Sequence, residues 1–461
     1  MASTLESDAR NGALAGLRVL ELSDESGMYC GKLLADLGAD VLRIEAPGGD
    51  RVRSNPPLWS GDGSHSADPP AQRCGLRFRY LNTSKRSLAL DLEAPEGRGR
   101  FIELARGADL VIECLAPGRL SGLGLGFETL HAENPGLIMT SITGFGQTGP
   151  HRDFSSSDLV INAMGGAVYV TGDPADPPVN LAGDQAFMMA STCAAASSLI
   201  ALRHRNATGA GQHIDISAQE VVLAVTHISG VGKYLDDGIV PVRNGTSLFA
   251  AVPSGAYRCK DGLIYLIVNR PRHWQALAQW IHEETGNLEV IDPMFEGPSS
   301  ARIEYRELLD IFISDMTCKF SVEELYHEGQ RRHIAMTPVN SYAEVVKDPH
   351  LTARAFFVDV PQADRGTLIM PGAPYRLSET PWRVSGGSPD LPVPQVPNFP
   401  ERARDAIVGG NTEQQALAGV RVLEFTAGMA GPWIGRYMAY CGAEVIKVET
   451  VRHLGVVRLY I

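Results

Sequence analysis

Asp184 stands in the stretch VNLAGDQAFMMA, where a glycine-containing loop runs into a long segment rich in Ala, Ser and Met. A carboxylate at the start of a helix is held in its ionised form by the helix dipole. Two readings fit it. Asp is a favoured N-cap residue, and a carboxylate at a domain crevice can act as a nucleophile or base. A second candidate is Gly144-Phe145-Gly146-Gln147-Thr148-Gly149-Pro150, directly after the apolar run LIMTSIT. It reads either as a surface turn or as a ligand loop, whose glycines let backbone N–H groups approach a developing negative charge. Basic residues form a third set: Arg51 and Arg53 after PGGD, Lys85 and Arg86 after YLNTS, and Arg119 after APG. Each reads alone as a solvated charge; together, at loop ends, they could hold phosphates.

Other chemistries lack their residues. His204, His213 and His227 have no metal-ligand spacing and no H-E-x-x-H occurs, so no metal is expected. There is no G-x-S-x-G for a serine hydrolase. Ser23-Asp24-Glu25-Ser26-Gly27 follows the first strand where a dinucleotide fingerprint would stand.

The elements that must position these residues read as alternating strands and helices. Arg18–Leu22, Ser87–Leu92, Asp109–Glu113 and Leu137–Thr143 are apolar strands. Helices are expected from Ala94 to Ala105, over Phe127–Asn134, over Ser157–Tyr169 and over the long run Gln185–Arg205. A strand at His213–Ile216 leads into a helix opened by Ser217 with Glu220 three residues on, the capping-box spacing. This alternation predicts an α/β fold built on a parallel, doubly wound sheet. Character changes near Ser229: Tyr257–Val268 reads as a β-hairpin turning at Asp261-Gly262, and His273–His282 and Ile303–Ser314 as helices. The expected organisation is a large Rossmann-like domain over 1–224, a small α+β domain over 225–330 and a return to the large domain over 331–400. A linker over 401–415 then leads to a last segment, 416–461.

That last segment repeats the beginning. Leu14–Pro47 and Leu417–Thr450 run in register with one single-residue gap, each as strand, turn, amphipathic helix and strand. The expectation is one whole domain set followed by a truncated second copy of its opening βαβ unit, which alone cannot bury its apolar face.

Composition narrows the class. A net charge of −12 argues against nucleic acid as a partner. Seven cysteines without paired spacing read as reduced thiols. The N-terminal MASTLESDARNG has no apolar signal core, and no stretch approaches about 18 consecutive apolar residues, so a cytoplasmic protein without a membrane span is expected.

The pieces LAGLRVLEL, LLADLGADVLRIEAPGGD, LNTSKRSLALDLEAPEGR, ADLVIECLAPG, NPGLIMTSITGFGQTGP, SDLVINAMGG, GDQA, ALRHRNATGAGQHIDIS and GAPYRLSETPW fall in order over about residues 14–385. Together they resemble the class III CoA-transferases, the CaiB/BaiF family. The resemblance implies a Rossmann-like large domain with a small domain, and two subunits interlocked as a homodimer or as a heterodimer with a related chain. It implies that Asp184 is the catalytic carboxylate, moving CoA from an acyl-CoA thioester to a free carboxylic acid. The path runs through a mixed anhydride and an aspartyl-CoA thioester, with backbone N–H groups at Gly144, Phe145 and Gly146 facing the oxyanions. CoA would be a substrate, with no tightly bound cofactor.

Leu90, Cys114, Leu115 and Thr143 stand where relatives touch CoA. Two arginines found in some relatives are Ala46 and Gly122 here, which leaves Arg51, Arg53, Lys85, Arg86 and Arg119 as candidates for the phosphates. The family's A-G-P after the first strand is replaced by SDESG in copy one. This variant resembles subunits of heteromeric or tandem members, including those handling bulky acids such as benzylsuccinate. A non-catalytic subunit is therefore an alternative. An acyl-CoA racemase is a further one, although its second base, a His, is Ser157 here.

Overall fold

The computed structural model describes residues 12–59, 74–226, 230–248, 251–362, 366–389, 392–394, 396, 399, 413–428 and 430–450. Residues 401–412 of the linker expected over 401–415, and the tail beyond residue 450, lie outside them. Two compact units are present: residues 1–166, 182–239 and 356–461 form one, and residues 167–181 and 240–355 the other.

The first unit is built on six strands: β1 (Arg18–Leu22), β2 (Asp40–Glu45), β3 (Arg86–Ala89), β4 (Leu110–Glu113), β5 (Ile138–Thr143) and β6 (His213–Ser217). Their order is β3-β2-β1-β4-β5-β6 and every pairing is parallel. The chain winds outward from β1 to β3, then returns to β4 on the other side of β1. That reversal opens a crevice at the carboxyl ends of β1 and β4, the place where such sheets bind ligands.

Helices cover both faces, which is why the strands read as near-continuous apolar runs. They are α1 (Met28–Asp36), α2 (Leu76–Leu81), α3 (Pro95–Arg106), α4 (Arg119–Gly122), α5 (Phe127–Glu133), α6 (Asp158–Met164), α7 (Gln185–Thr208), α8 (Ala218–Thr226) and α9 (Val231–Asp237). One face buries Leu20, Leu42, Leu88 and Val111 with Phe101 and Leu104 of α3. Apart from Leu202 the buried residues of α7 are small, among them Ala190, Ser191, Ala194 and Ser198, and the Ser198 hydroxyl lies 2.8 Å from that of Thr140 in β5. α7 is long and apolar enough by composition to cross a membrane, but these small residues give it a close seat on the sheet.

The second unit pairs β7 (Ser254–Arg258), β8 (Leu263–Ile267) and β9 (Ala335–Pro338) antiparallel in the order β9-β8-β7. Helices α10 (Pro271–Thr285), α11 (Arg306–Thr317) and α12 (Val322–Arg331) supply Trp274, Trp280, Phe312 and Leu325 to its core.

A hairpin in the first unit, β10 (Phe357–Gln362) and β11 (Gly366–Pro371), precedes the repeated segment. The repeat folds as β12 (Arg421–Glu424), α13 (Ala430–Tyr440) and β13 (Glu444–Lys447). Its register, Arg421 opposite Glu444, reproduces Arg18 opposite Asp40. Burial is not reproduced: Leu20 and Leu22 are 0% and 6% exposed, and their counterparts Leu423 and Phe425 are 64% and 75% exposed.

Candidate active site

The turn into α7 is built around two left-handed residues, Gly183 (φ 87°) and Asp184 (φ 52°, ψ 47°). Asp tolerates this region better than most side chains. The Gln185 side chain closes the turn by donating to the Ala182 carbonyl at 3.0 Å. Asp184 occupies the N-cap position, yet its side chain makes no capping hydrogen bond. That work is done by Asp158 at the start of α6. Its buried carboxylate accepts the Ala186 N–H at 2.8 Å, the Phe187 N–H at 3.4 Å and the Asn162 amide at 2.9 Å. The side chain of Asp184 is left with one ion-pair partner among the described residues, the guanidinium of Arg77 on α2. Its side chain is about a quarter exposed (27%), so it is both paired and reachable.

The α7 start is tied to the crevice. The Ser191 hydroxyl donates to the Ser26 carbonyl at 2.9 Å, and Met188 packs on the buried cluster of Met28, Val52, Phe78 and Leu81. At the crevice floor a Cβ on Gly27 would lie 2.2 Å from the Cys114 sulfur, so only glycine fits there. Burial pushes the Cys114 thiol far above its ordinary range, and the charges of Asp24 and Glu113 add to the effect against an opposing Ser26 hydrogen bond. It therefore stays a neutral thiol, unsuited to be the nucleophile.

The expected CoA-contact residues fall along one edge of the sheet. Leu90 follows β3 and donates its N–H to the Glu45 carbonyl at 2.8 Å. Cys114 and Leu115 follow β4, the latter's N–H held by the Glu113 carboxylate at 2.8 Å. Thr143 ends β5, and its hydroxyl is buried without a hydrogen-bond partner among the described residues. The loop after it is firmly seated. A Cβ on Gly144 would come within 2.4 Å of Ser156, Phe145 packs beside His151 and Phe154, and Gly146 takes φ 84°. The following Gln147 N–H is given to Asp215, at 2.9 and 3.1 Å to its two oxygens.

The basic residues separate into two groups. Lys85 is buried and donates to Glu21 (2.9 Å), the Met28 carbonyl (2.8 Å) and Asn82 (3.0 Å), which leaves no proton for a phosphate. Burial pushes its ammonium down to about 8 despite the charge of Glu21. Arg53 grips Glu45 with two bonds of 2.7 Å and the Pro389 carbonyl with a third at 3.0 Å. Arg86 grips Asp40 with two bonds of 2.9 Å. Lys85 and Arg53 are thus spent on partners inside the fold, whereas Arg86, although paired with Asp40, keeps a side chain 37% exposed. Arg119 is exposed and pairs with Glu93, and Arg51 is exposed on a short turn in which the Asp50 carboxylate accepts the Val52 N–H at 3.0 Å.

Sequence reading missed three residues. Arg43, fully buried in β2, reaches Asp50 at 2.6 Å and lies 3.6 Å from Glu45. Arg77 and Asp158 sit next to Asp184 in space but more than 25 residues away in the chain, so no local pattern flagged them.

The model for CoA-transferase family III matches residues 14–392 and again 417–459, the second match falling on the repeated segment. The succinyl-CoA:mesaconate CoA-transferase of Haloarcula hispanica is 35% identical over 387 residues, covering 82% of this chain and 94% of that protein. The succinyl-CoA:(R)-benzylsuccinate CoA-transferase subunit BbsE of Thauera aromatica is 33% identical over 388 residues, covering 81% and 90%. A CAIB/BAIF family protein from Brucella suis superposes with a TM-score of 0.71 at 30% identity, over 83% of this chain and 97% of that one. The fold, the crevice and these relatives agree: the chain belongs to CoA-transferase family III and is an enzyme of that class.

Proposed function

We propose that this enzyme transfers CoA from an acyl-CoA thioester to a free carboxylic acid, with the carboxylate of Asp184 as the covalent carrier. The observation that carries this reading is the division of labour at the α7 turn: Asp158 caps the helix, so Asp184 stays accessible, paired with Arg77 and with no capping bond to lose. An Asp184 oxygen attacks the thioester carbonyl and the C–S bond breaks, giving a mixed anhydride and CoA thiolate. The thiolate then attacks the Asp184 carbonyl carbon and the first acid leaves as its carboxylate. The acceptor acid runs the same steps in reverse. Covalent catalysis of this kind keeps the thioester's energy within the enzyme at each stage.

CoA would lie along the sheet edge marked by Leu90, Cys114, Leu115 and Thr143, with Arg51 and Arg119 as the outward cations for its phosphates. Backbone N–H groups of Gly144, Phe145 and Gly146 would face the oxyanion. Named relatives take succinyl-CoA as donor, which makes a short dicarboxylic acyl-CoA the first donor to try. A second family subunit would cover the exposed apolar residues Leu159, Val160 and Met164 on α6 and Leu223 and Val225 on α8, helices that touch each other. Subunit pairing among relatives, as in the alpha and beta subunits of succinyl-CoA–L-malate CoA-transferase of Chloroflexus aurantiacus, favours a related chain as one form of that partner.

The test is to incubate the protein with succinyl-CoA and other acyl-CoAs, trap with hydroxylamine and map the modified peptide. The label should fall on Asp184, and Asp184→Asn should lose both label and turnover. Failure to label with any acyl-CoA, alone or mixed with a related subunit, would sink the carrier role.

A further inference from the structure

We propose that Arg77 is a shuttling counter-ion: it pairs with Asp184 in the resting enzyme and with the carboxylate of the released or incoming acid while Asp184 is acylated. The inference rests on the transferase reading above and names a specificity-determining residue within it.

Charge bookkeeping along the reaction motivates the idea. At rest the site holds one anion, the Asp184 carboxylate. When that oxygen attacks the thioester, the electron pair of the broken C–S bond goes to sulfur, and the anion becomes a thiolate. When the thiolate attacks the Asp184 carbonyl carbon, the pair of the broken C–O bond goes to the departing acid, and the anion becomes that acid's carboxylate. Asp184 is neutral in both later stages. Arg77 thus loses its partner as soon as the first step is complete, and a carboxylate of the same shape and charge appears beside it one step later. A guanidinium presents its donors as a planar fork that suits either carboxylate equally.

The geometry allows the exchange. Arg77 projects from α2, whose neighbouring residues are fixed. Phe78 and Leu81 are buried in the cluster that Met188 of α7 packs on. Arg79 is buried, donates to Gln362 at 2.7 Å and lies over the Trp59 ring at 4.8 Å. The base of the Arg77 side chain is therefore held against the first turn of α7, while its own side chain is about a third exposed (36%). A side chain serving only to staple α2 to α7 has no need to remain open to solvent, because Met188 already does so.

The test compares wild type with Arg77→Ala and Arg77→Lys, with succinyl-CoA as donor and mesaconate as acid. Losing a charged pair to the acid should raise its KM on the order of 10–100-fold in Arg77→Ala. The KM for acyl-CoA should stay near wild type, and trapped Asp184 adduct should still form. Arg77→Lys should recover part of the acid affinity, and added guanidinium should rescue Arg77→Ala but not Asp184→Asn. An unchanged acid KM with normal labelling would overturn the Arg77 role and leave the carrier role of Asp184 intact. A uniform loss of every parameter with a lowered melting temperature in both variants would also overturn it, in favour of a structural staple. Absence of any adduct in the wild type would remove the transferase reading itself.

Discussion

Asp158→Ala tests the separation of structure from chemistry at the α7 turn. The Asp158 carboxylate accepts two backbone N–H groups of the first turn of α7 and the amide of Asn162, which is fully buried. Removing a cap costs about 0.5–2 kcal/mol. Leaving the Asn162 amide buried and unpaired adds about 1–3 kcal/mol. The sum, about 1.5–5 kcal/mol, should lower the urea midpoint of the first unit by on the order of 1 M. Asp184→Asn removes only a partly exposed ion pair with Arg77, worth about 0–1 kcal/mol, and it keeps a side chain that tolerates the left-handed turn. Asp158→Asn should fall between, since its amide oxygen can still accept. The assay is urea unfolding followed by far-ultraviolet circular dichroism, with turnover measured on the same samples. Asp158→Ala should be strongly destabilised, whereas Asp184→Asn should be near wild type in stability and inactive. If Asp184→Asn proves as destabilising as Asp158→Ala, the cap has been assigned to the wrong residue and the argument that Asp184 is free for chemistry falls.

Two further outcomes follow from the buried charges. Glu21→Gln or Lys85→Met alone should cost about 3–5 kcal/mol, because each strands a buried charge, while the double substitution should cost much less; a double-mutant cycle by denaturant unfolding reads the coupling. Glu45 is buried, which alone would raise its pKa, but the hydrogen bond from Arg53, the charge of Arg43 and the Ser87 hydroxyl outweigh burial and hold its carboxyl below the ordinary range. A depressed carboxylate adds stability that is present above the unfolded value and lost as pH falls through the folded one. Acid unfolding should therefore steepen below about pH 4.5 by up to roughly 1.4 kcal/mol per unit, and Glu45→Gln should flatten that slope in pH-dependent melts.

What could be read from the chain beforehand follows the range of each interaction. Strands such as Asp109–Glu113 and helices such as Gln185–Arg205 rest on local periodicity, and they lie where expected within a few residues. Asp184 stands out in the sequence because its neighbours carry a family pattern. Its partners were not found, because cap rules look three residues along the chain and Asp158 caps α7 from 26 residues upstream. The pairing of the basic residues is hidden from the sequence in the same way. Lys85, Arg53 and Arg86 look alike in the sequence as charges after a turn. Which partner each takes depends on Glu21, Glu45 and Asp40, carboxylates on β1 and β2 that arrive only when the sheet forms.

The repeated opening makes the same point with the sequence held nearly constant. Both copies form the strand, helix and strand in the same parallel register. Both also bond the strand-one carboxylate to the hydroxyl two residues on: Glu21 to Ser23, and Glu424 to Thr426. The cation differs. Glu21 is met by Lys85 from the segment leading into β3, whereas Glu424 is met by Lys447 of β13, within the unit itself. Local pattern was enough to shape the second copy, but burial was not local. Each side chain such as Leu423 that stays exposed forgoes about 1.5–3 kcal/mol relative to a buried counterpart such as Leu20. The second copy thus has the first one's form without its core. The turn that carries Asp184 depends on that core through Ser191 and Ser26, and through Met188 packed on Met28 and Phe78. The chemistry proposed for Asp184 therefore needs the complete sheet, and the βαβ opening alone, however faithfully repeated, does not supply such a turn.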